Sequence, residues 1–262
     1  FKNFQNYEIE AGNHNFTGLP GVQNVLVANT VAGTGNILRN LPAELSTVTV
    51  TGKNQTAGAG NANNDQSFGT LDFQAAKGAE LTLNLDNTAL VDGKLTVAQL
   101  LVQDDVNNPA TNLSAVRTLN VVSTGIDSAL TSNVVTSIDA VKVNKFNFSG
   151  DHALTAKIDA ASGVPVLGAV VANQVTDLKV DGSTMTGNLT VGVSTKVANA
   201  VDSNMTASYK GGESAKDKLV FDAGVFTTAK TSVSGFETVA FSDGQFNAVN
   251  TTGVTLYESK AD

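Results

Sequence analysis

Val175-Thr176-Asp177-Leu178-Lys179-Val180, then Asp181-Gly182-Ser183-Thr184-Met185-Thr186-Gly187, then Asn188-Leu189-Thr190-Val191-Gly192-Val193: on this stretch the reading of the fold turns. Leu189, Val191 and Val193 alternate strictly with other residues, and Val175, Leu178 and Val180 form a similar apolar row. Alternation at period 2 sends one row of side chains inward and the other outward, which marks a half-buried strand. Between the two rows lies a corner with Asp181, Gly182 and Gly187. Glycine adopts the backbone conformations that such a corner demands. The unit is therefore strand, corner, strand.

The unit recurs along the chain. Its first strand reads apolar, two variable residues, apolar, one variable, apolar. That pattern occurs at Phe4, Tyr7 and Ile9, then at Val22, Val25 and Val27, at Leu45, Val48 and Val50, and at Phe68, Leu71 and Phe73. The last three copies start 23 residues apart. Further copies start at Val97, Val116, Ile138, Val175 and Phe236. Alternating second strands are expected at Leu81 to Leu85, Leu154 to Ile158 and Leu189 to Val193, and Leu219 to Phe221 belongs to a further turn.

A repeat of this length, made of strands and tight corners, predicts an all-β parallel β-solenoid, or β-helix. One coil cannot bury its inner face alone, so stacking makes the core. The expected strands are 22–27, 45–50, 68–73, 97–102, 116–121, 138–143, 175–180 and 236–241, stacked in parallel in one sheet. The alternative is β-sandwich domains, which also show short alternating strands with frequent turns. Residues 1–262 read as a single solenoid segment with loop insertions near 52–67 and 160–173. The first is low-complexity; the second holds Pro165 and an apolar run.

Composition narrows the function. The chain has 262 residues, 41% of them hydrophobic, only 15% charged, and carries a net charge of -8. Thr and Val suit pleated surfaces; Asn and Gly suit turns. The acidic balance speaks against nucleic acid, which needs a basic patch. With no Cys, neither a disulfide nor a thiolate metal site can form. No apolar run of transmembrane length and no signal peptide is present. The first residue is Phe1 rather than Met, which fits a segment of a longer protein.

Catalytic groups are sparse. His14 and His152 stand far apart in turn-like contexts and read as surface residues. Asp104 and Asp105 are adjacent in a loop-like stretch, Asp104 to Ser114. Neighbours on a strand face opposite ways, so the pair reads as two solvated acids rather than half of a polysaccharide-cleaving site. No catalytic residue and no cofactor-binding residue is assigned, and the metal ligands are unknown. Gly211-Gly212-Glu213-Ser214-Ala215-Lys216-Asp217-Lys218-Leu219 looks like a decayed calcium-binding nonapeptide, Gly-Gly-x-Gly-x-Asp-x-apolar-x. Ser214 stands for the third Gly, and Lys216 pushes Asp217 out of register. Glu213 and Asp217 are too few for the six to eight oxygen ligands of calcium. The segment is expected to fold without calcium, and any bound ion to sit at another acidic corner, such as near Asp181 or Asp243.

Two stretches carry a family resemblance: Val180 to Val191, and the Gly211 segment followed by Val233-Ser234-Gly235-Phe236-Glu237-Thr238-Val239-Ala240-Phe241. Together they resemble the succession of such motifs in RTX-type surface-layer (S-layer) proteins of Gram-negative bacteria. The likeness covers roughly the last third of the chain, and large secreted adhesins share the motifs. The resemblance implies type I secretion, solenoid coils, calcium-assisted folding of the full-length protein, and a two-dimensional lattice on lipopolysaccharide. The chain departs from the family at the calcium repeat, so no metal ligand carries over. The functional expectation is a structural protein of the cell-surface lattice whose partners are other copies of itself, with lipopolysaccharide met through another region. The alternative is a stalk or ligand-binding module of a large secreted RTX-type adhesin. An enzyme is not expected, because no acid–base set converges.

Overall fold

The strands come in pairs, one pair to a coil. β1 (Asn6–Ile9) goes with β2 (Gly12–Asn15), β3 (Asn24–Val27) with β4 (Asn36–Arg39), and β5 (Thr47–Thr51) with β6 (Gln66–Gln74). β7 (Glu80–Asn87) goes with β8 (Lys94–Gln103), β9 (Thr118–Gly125) with β10 (Ser132–Asp139), and β11 (Lys145–Gly150) with β12 (Leu154–Ala160). β13 (Asp177–Met185) goes with β14 (Leu189–Val193), β15 (Thr206–Lys210) with β16 (Lys218–Phe221), β17 (Thr231–Ser234) with β18 (Thr238–Phe241), and β19 (Asn250–Thr252) with β20 (Leu256–Ser259). This computed structural model describes residues 5–52, 65–88, 93–126, 131–161, 177–198, 206–222, 230–241, 250–252 and 256–259. No helix among them is long and apolar enough to cross a membrane.

The odd-numbered strands form one ten-stranded sheet and the even-numbered strands a second, each in strict coil order. Neighbouring coils pair in parallel in both sheets, as β3 with β5 and β6 with β8 do. The fold is a parallel β-solenoid, and the antiparallel sandwich is excluded. Coil length varies with what is inserted at the corners: Asn6 and Asn24, paired neighbours, lie 18 residues apart, whereas Thr82 and Asn120 lie 38 apart.

Seven of the eight expected strands form and run parallel, but they do not share one sheet. Those near 22–27, 45–50, 116–121 and 175–180 enter the first sheet as β3, β5, β9 and β13. Those near 68–73, 97–102 and 236–241 enter the second as β6, β8 and β18. The same apolar spacing arises in two ways. In the first sheet its leading member sits two residues before the strand and fills the corner: Val22, Leu45 and Val116 are buried there. In β6 and β8 of the second sheet the strand bends, so two successive residues face out between Phe68 and Leu71, and again between Val97 and Leu100; Phe236, buried two residues before β18, fills a corner as in the first sheet. The expected strand 138–143 is a corner. Ile138 closes the inward row of β10, while Val143 fills the corner before β11. Leu81 to Leu85, expected as a second strand, is β7 of the first sheet.

Inward rows run through the stack and make one continuous core. Leu81, Leu119, Phe146, Val180, Tyr209 and Val233 are register partners in the first sheet. Leu71, Leu100, Ile138, Ile158, Val193, Phe221 and Phe241 are partners in the second. Leu178, Val180, Leu189 and Val191 all point inward, with at most 1% of their surface exposed. Each such side chain contributes roughly 1.5–3 kcal/mol of burial free energy. The rings of Phe221 and Phe241 stack at 5.5 Å, and Tyr209 meets Phe221 edge-on.

The expected insertion 52–67 is shorter at its far end, because Gln66 and Ser67 already belong to β6; residues 53–64 lie outside the described set. Of the expected insertion 160–173, Ala160 ends β12 and the part from 162 onward lies outside that set, as do Phe4, Val175 and Asp243.

Candidate functional site

Two of the acidic groups singled out by sequence, Asp104 and Asp217, tie neighbouring coils together. Asp217 is fully buried. Its Oδ1 accepts the Leu189 N–H at 2.8 Å and its Oδ2 the Gly212 N–H at 2.7 Å. Its own N–H donates to Glu237 Oε2 at 2.9 Å, and its carbonyl accepts from the Glu237 and Thr238 N–H groups. One side chain thus ties the coil of β14 to its own, and its backbone reaches the next. The corner is tight: a Cβ on Gly211 would lie 2.0 Å from the Gly235 carbonyl oxygen. With Lys216 inserted, the Asp217 carboxylate still reaches back to the N–H of Gly212. Burial raises its pKa, the two backbone donors oppose this, and Glu237 adds to it. Glu213 is not gathered toward Asp217, and its N–H donates to the Met185 carbonyl.

The Asp104–Asp105 pair is likewise structural. Asp104 accepts from the Ser114 N–H and pairs with Lys142 at 3.2 Å. Asp105 is buried, not solvated. It accepts from the Asn107 N–H and from Asn112 Nδ2, and these bonds, the first above all, hold its pKa below the usual carboxylate value. Adjacent residues here serve two different corners of one loop, so they do not form a joint site.

The histidines are five coils apart. His14 lies on β2 rather than in a turn, half-buried, with Nε2 at 2.8 Å from the Glu10 carbonyl. His152 is a buried corner residue, which corrects the surface expectation. Its ring packs on Gly125, where a Cβ would lie 2.6 Å from it, and its Nε2 is 3.4 Å from Asn87 Nδ2. Asn133, also buried at this corner, donates to the Leu85 carbonyl and to Ser123 Oγ. A polar seam therefore runs up the inside of the corner, bonded in part to neighbouring coils, while Asn87 Oδ1 and Asn133 Oδ1 have no hydrogen-bond partner among the described residues. Among the described residues no group of three or more His, Asp or Glu could hold a metal ion.

The outer face of the first sheet carries the least expected feature. Register places Asn6, Asn24, Thr47, Thr82, Asn120, Asn147, Asp181, Lys210 and Ser234 in one outward row, one residue per coil. Every member is polar. Parts of the row bond along the stack: Asn24 Nδ2 donates to Asn6 Oδ1 at 2.9 Å, and Asn147 Nδ2 to Asn120 Oδ1 at 2.7 Å. Asn120 Nδ2 continues to Thr82 Oγ1 at 3.3 Å.

Part of this face is concave. A groove of about 430 Å³ is lined by Thr82, Asn120, Val122, Asn147, Ser149, Asp181, Ser183 and Thr184. Its shape follows from a bulge. Asn147 pairs with Asp181 and Ser149 with Thr184, so β13 carries one more residue than β11 at this point. Gly182 turns inward and both Ser183 and Thr184 turn outward. Bulges bend a strand and re-aim its side chains. Hydrogen bonding from Ser183, through its hydroxyl first and its backbone N–H as well, keeps Asp181 below the usual carboxylate pKa, with help from Lys210 and Lys145 against partial burial.

Sequence reading missed this row because its members are coils apart. A signal was present: a polar residue between two apolar ones recurs at Leu81-Thr82-Leu83, Leu119-Asn120-Val121 and Phe146-Asn147-Phe148. No family model, no curated protein and no solved structure matches the chain.

Proposed function

We propose that this chain is a rigid solenoid segment of a bacterial surface-layer protein, exported by type I secretion and self-assembling into a two-dimensional lattice on the cell surface. The observation that carries the reading is the stack itself, ten parallel coils with a continuous core and polar, weakly charged outer rows. Each inner coil is hydrogen-bonded on both sides along both strands, which makes a stiff body suited to bearing load. Outer rows rich in Thr and Asn suit broad contacts between copies, because hydrogen-bonded contacts between neutral groups avoid the desolvation cost of burying charges. The motifs from Val180 to Val191 and from Val233 to Phe241 support the same reading by resemblance. The partners are other copies of the protein, and lipopolysaccharide meets another region.

Negative-stain electron microscopy of the purified protein tests the reading. Ordered sheets are expected as concentration rises; dispersed rods at every concentration count against it. Dispersed rods would instead favour the second reading, a stalk or ligand-binding module of a large secreted RTX-type adhesin. The polar groove on the first sheet favours that alternative.

A further inference from the structure

We infer that the groove across β7, β9, β11 and β13 is a binding site for a neutral glycan chain. It spans four strands, which at ~4.8 Å per step is roughly 14 Å along the stack. Its volume of about 430 Å³ falls in the range of about 300–1,000 Å³ usual for small-ligand sites. That is room for a short oligosaccharide.

The lining fits hydroxyl-rich chemistry. Thr82, Ser149, Ser183 and Thr184 present hydroxyls, which both donate and accept. Asn120 and Asn147 present amides, and each commits one N–H to the ladder and keeps the other. A sugar hydroxyl needs this mixture of donor and acceptor on one surface. Val122 offers the C–H face of a ring an apolar patch between these polar rows.

Charge selects within that class. Asp181 is the one charged group of the lining, and its depressed pKa keeps it ionised. A carboxylate accepts from sugar hydroxyls and repels sugar carboxylates, sulfates and phosphates. Lys145 and Lys210 act on Asp181 from outside the lining. The ladder also fixes the amides before a ligand arrives, so little side-chain freedom is lost on binding. The inference stands on the groove alone, whether or not the protein forms lattices.

Affinity electrophoresis of the whole chain through gels containing dextran, mannan or hydroxyethyl cellulose tests it, with polygalacturonate as the anionic probe. At least one neutral polymer is expected to retard the protein. Asn147→Leu, on the groove, should weaken that retardation at least tenfold; Thr155→Leu, outward on β12, should not. Ser149→Leu provides a second groove variant should Asn147→Leu fail to fold by circular dichroism. The inference is overturned if no neutral polymer retards the protein, if the folded groove variants run like the parent, or if polygalacturonate alone retards it.

Discussion

Asp217→Ala removes the acceptor for the buried Leu189 N–H and the part-buried Gly212 N–H. Leaving a buried donor unsatisfied costs about 1–3 kcal/mol, and less where water can reach it, so the two together cost at most about 6 kcal/mol. Part of this returns, because the native state no longer buries a carboxylate whose pKa burial has raised. We expect a net loss of about 2–4 kcal/mol. For a chain of this size that lowers Tm by roughly 5–15 °C. Thermal melts followed by far-ultraviolet circular dichroism read the shift. Amide hydrogen exchange localises it, since Leu189 and Gly212 should lose protection before residues in the coils of β5 and β6. Asp217→Asn keeps one acceptor and should fall between parent and alanine variant. A variant Asp217→Ala that melts with the parent, with Leu189 and Gly212 still protected, would refute the staple.

Four further outcomes follow from the same structure. The folded-state pKa of Asp217 is raised, so the native state binds more protons than the unfolded one as pH falls through that raised pKa, and this group's contribution to stability grows there; urea titrations of parent and Asp217→Asn from neutral pH into the carboxylate range should show the parent gaining relative to the variant. Leu189→Asp puts an unpaired charge in the core and should cost several kcal/mol by chemical denaturation. Tyr209→Phe should be neutral or stabilise by up to about 1 kcal/mol, because its buried hydroxyl has no hydrogen-bond partner among the described residues. Melting curves in chelator and in millimolar calcium should nearly coincide, since both carboxylate oxygens of Asp217 are engaged by backbone donors; a large upward shift with calcium that Asp217→Ala abolishes would restore the corner as a calcium site.

The solenoid was legible because its inward rows are local. Leu189, Val191 and Val193 announce a strand by alternation alone, and copies of the pattern announce stacking. Assignment to a sheet was not legible. Val22 filling a corner and Phe68 preceding a bend leave the same apolar spacing, and only register separates them. Buried polar residues were hidden for a related reason. Asp217 reads as an out-of-register remnant of a calcium repeat until Leu189 of the neighbouring coil supplies a donor, and His152 reads as a turn residue until Gly125 makes room for its ring. The groove was hidden further still. It needs Asn120, Asn147 and Asp181 aligned across three coils and one extra residue in β13. Each is an ordinary polar strand residue when met alone.

The proposed surface lattice would be visible on cells. Electron cryotomography of cells that carry the protein, compared with cells from which it has been deleted, looks for it in place. A continuous periodic layer outside the outer membrane, lost on deletion and restored when the protein is supplied, is the expected result. An unchanged cell surface in the deleted strain would rule the lattice out.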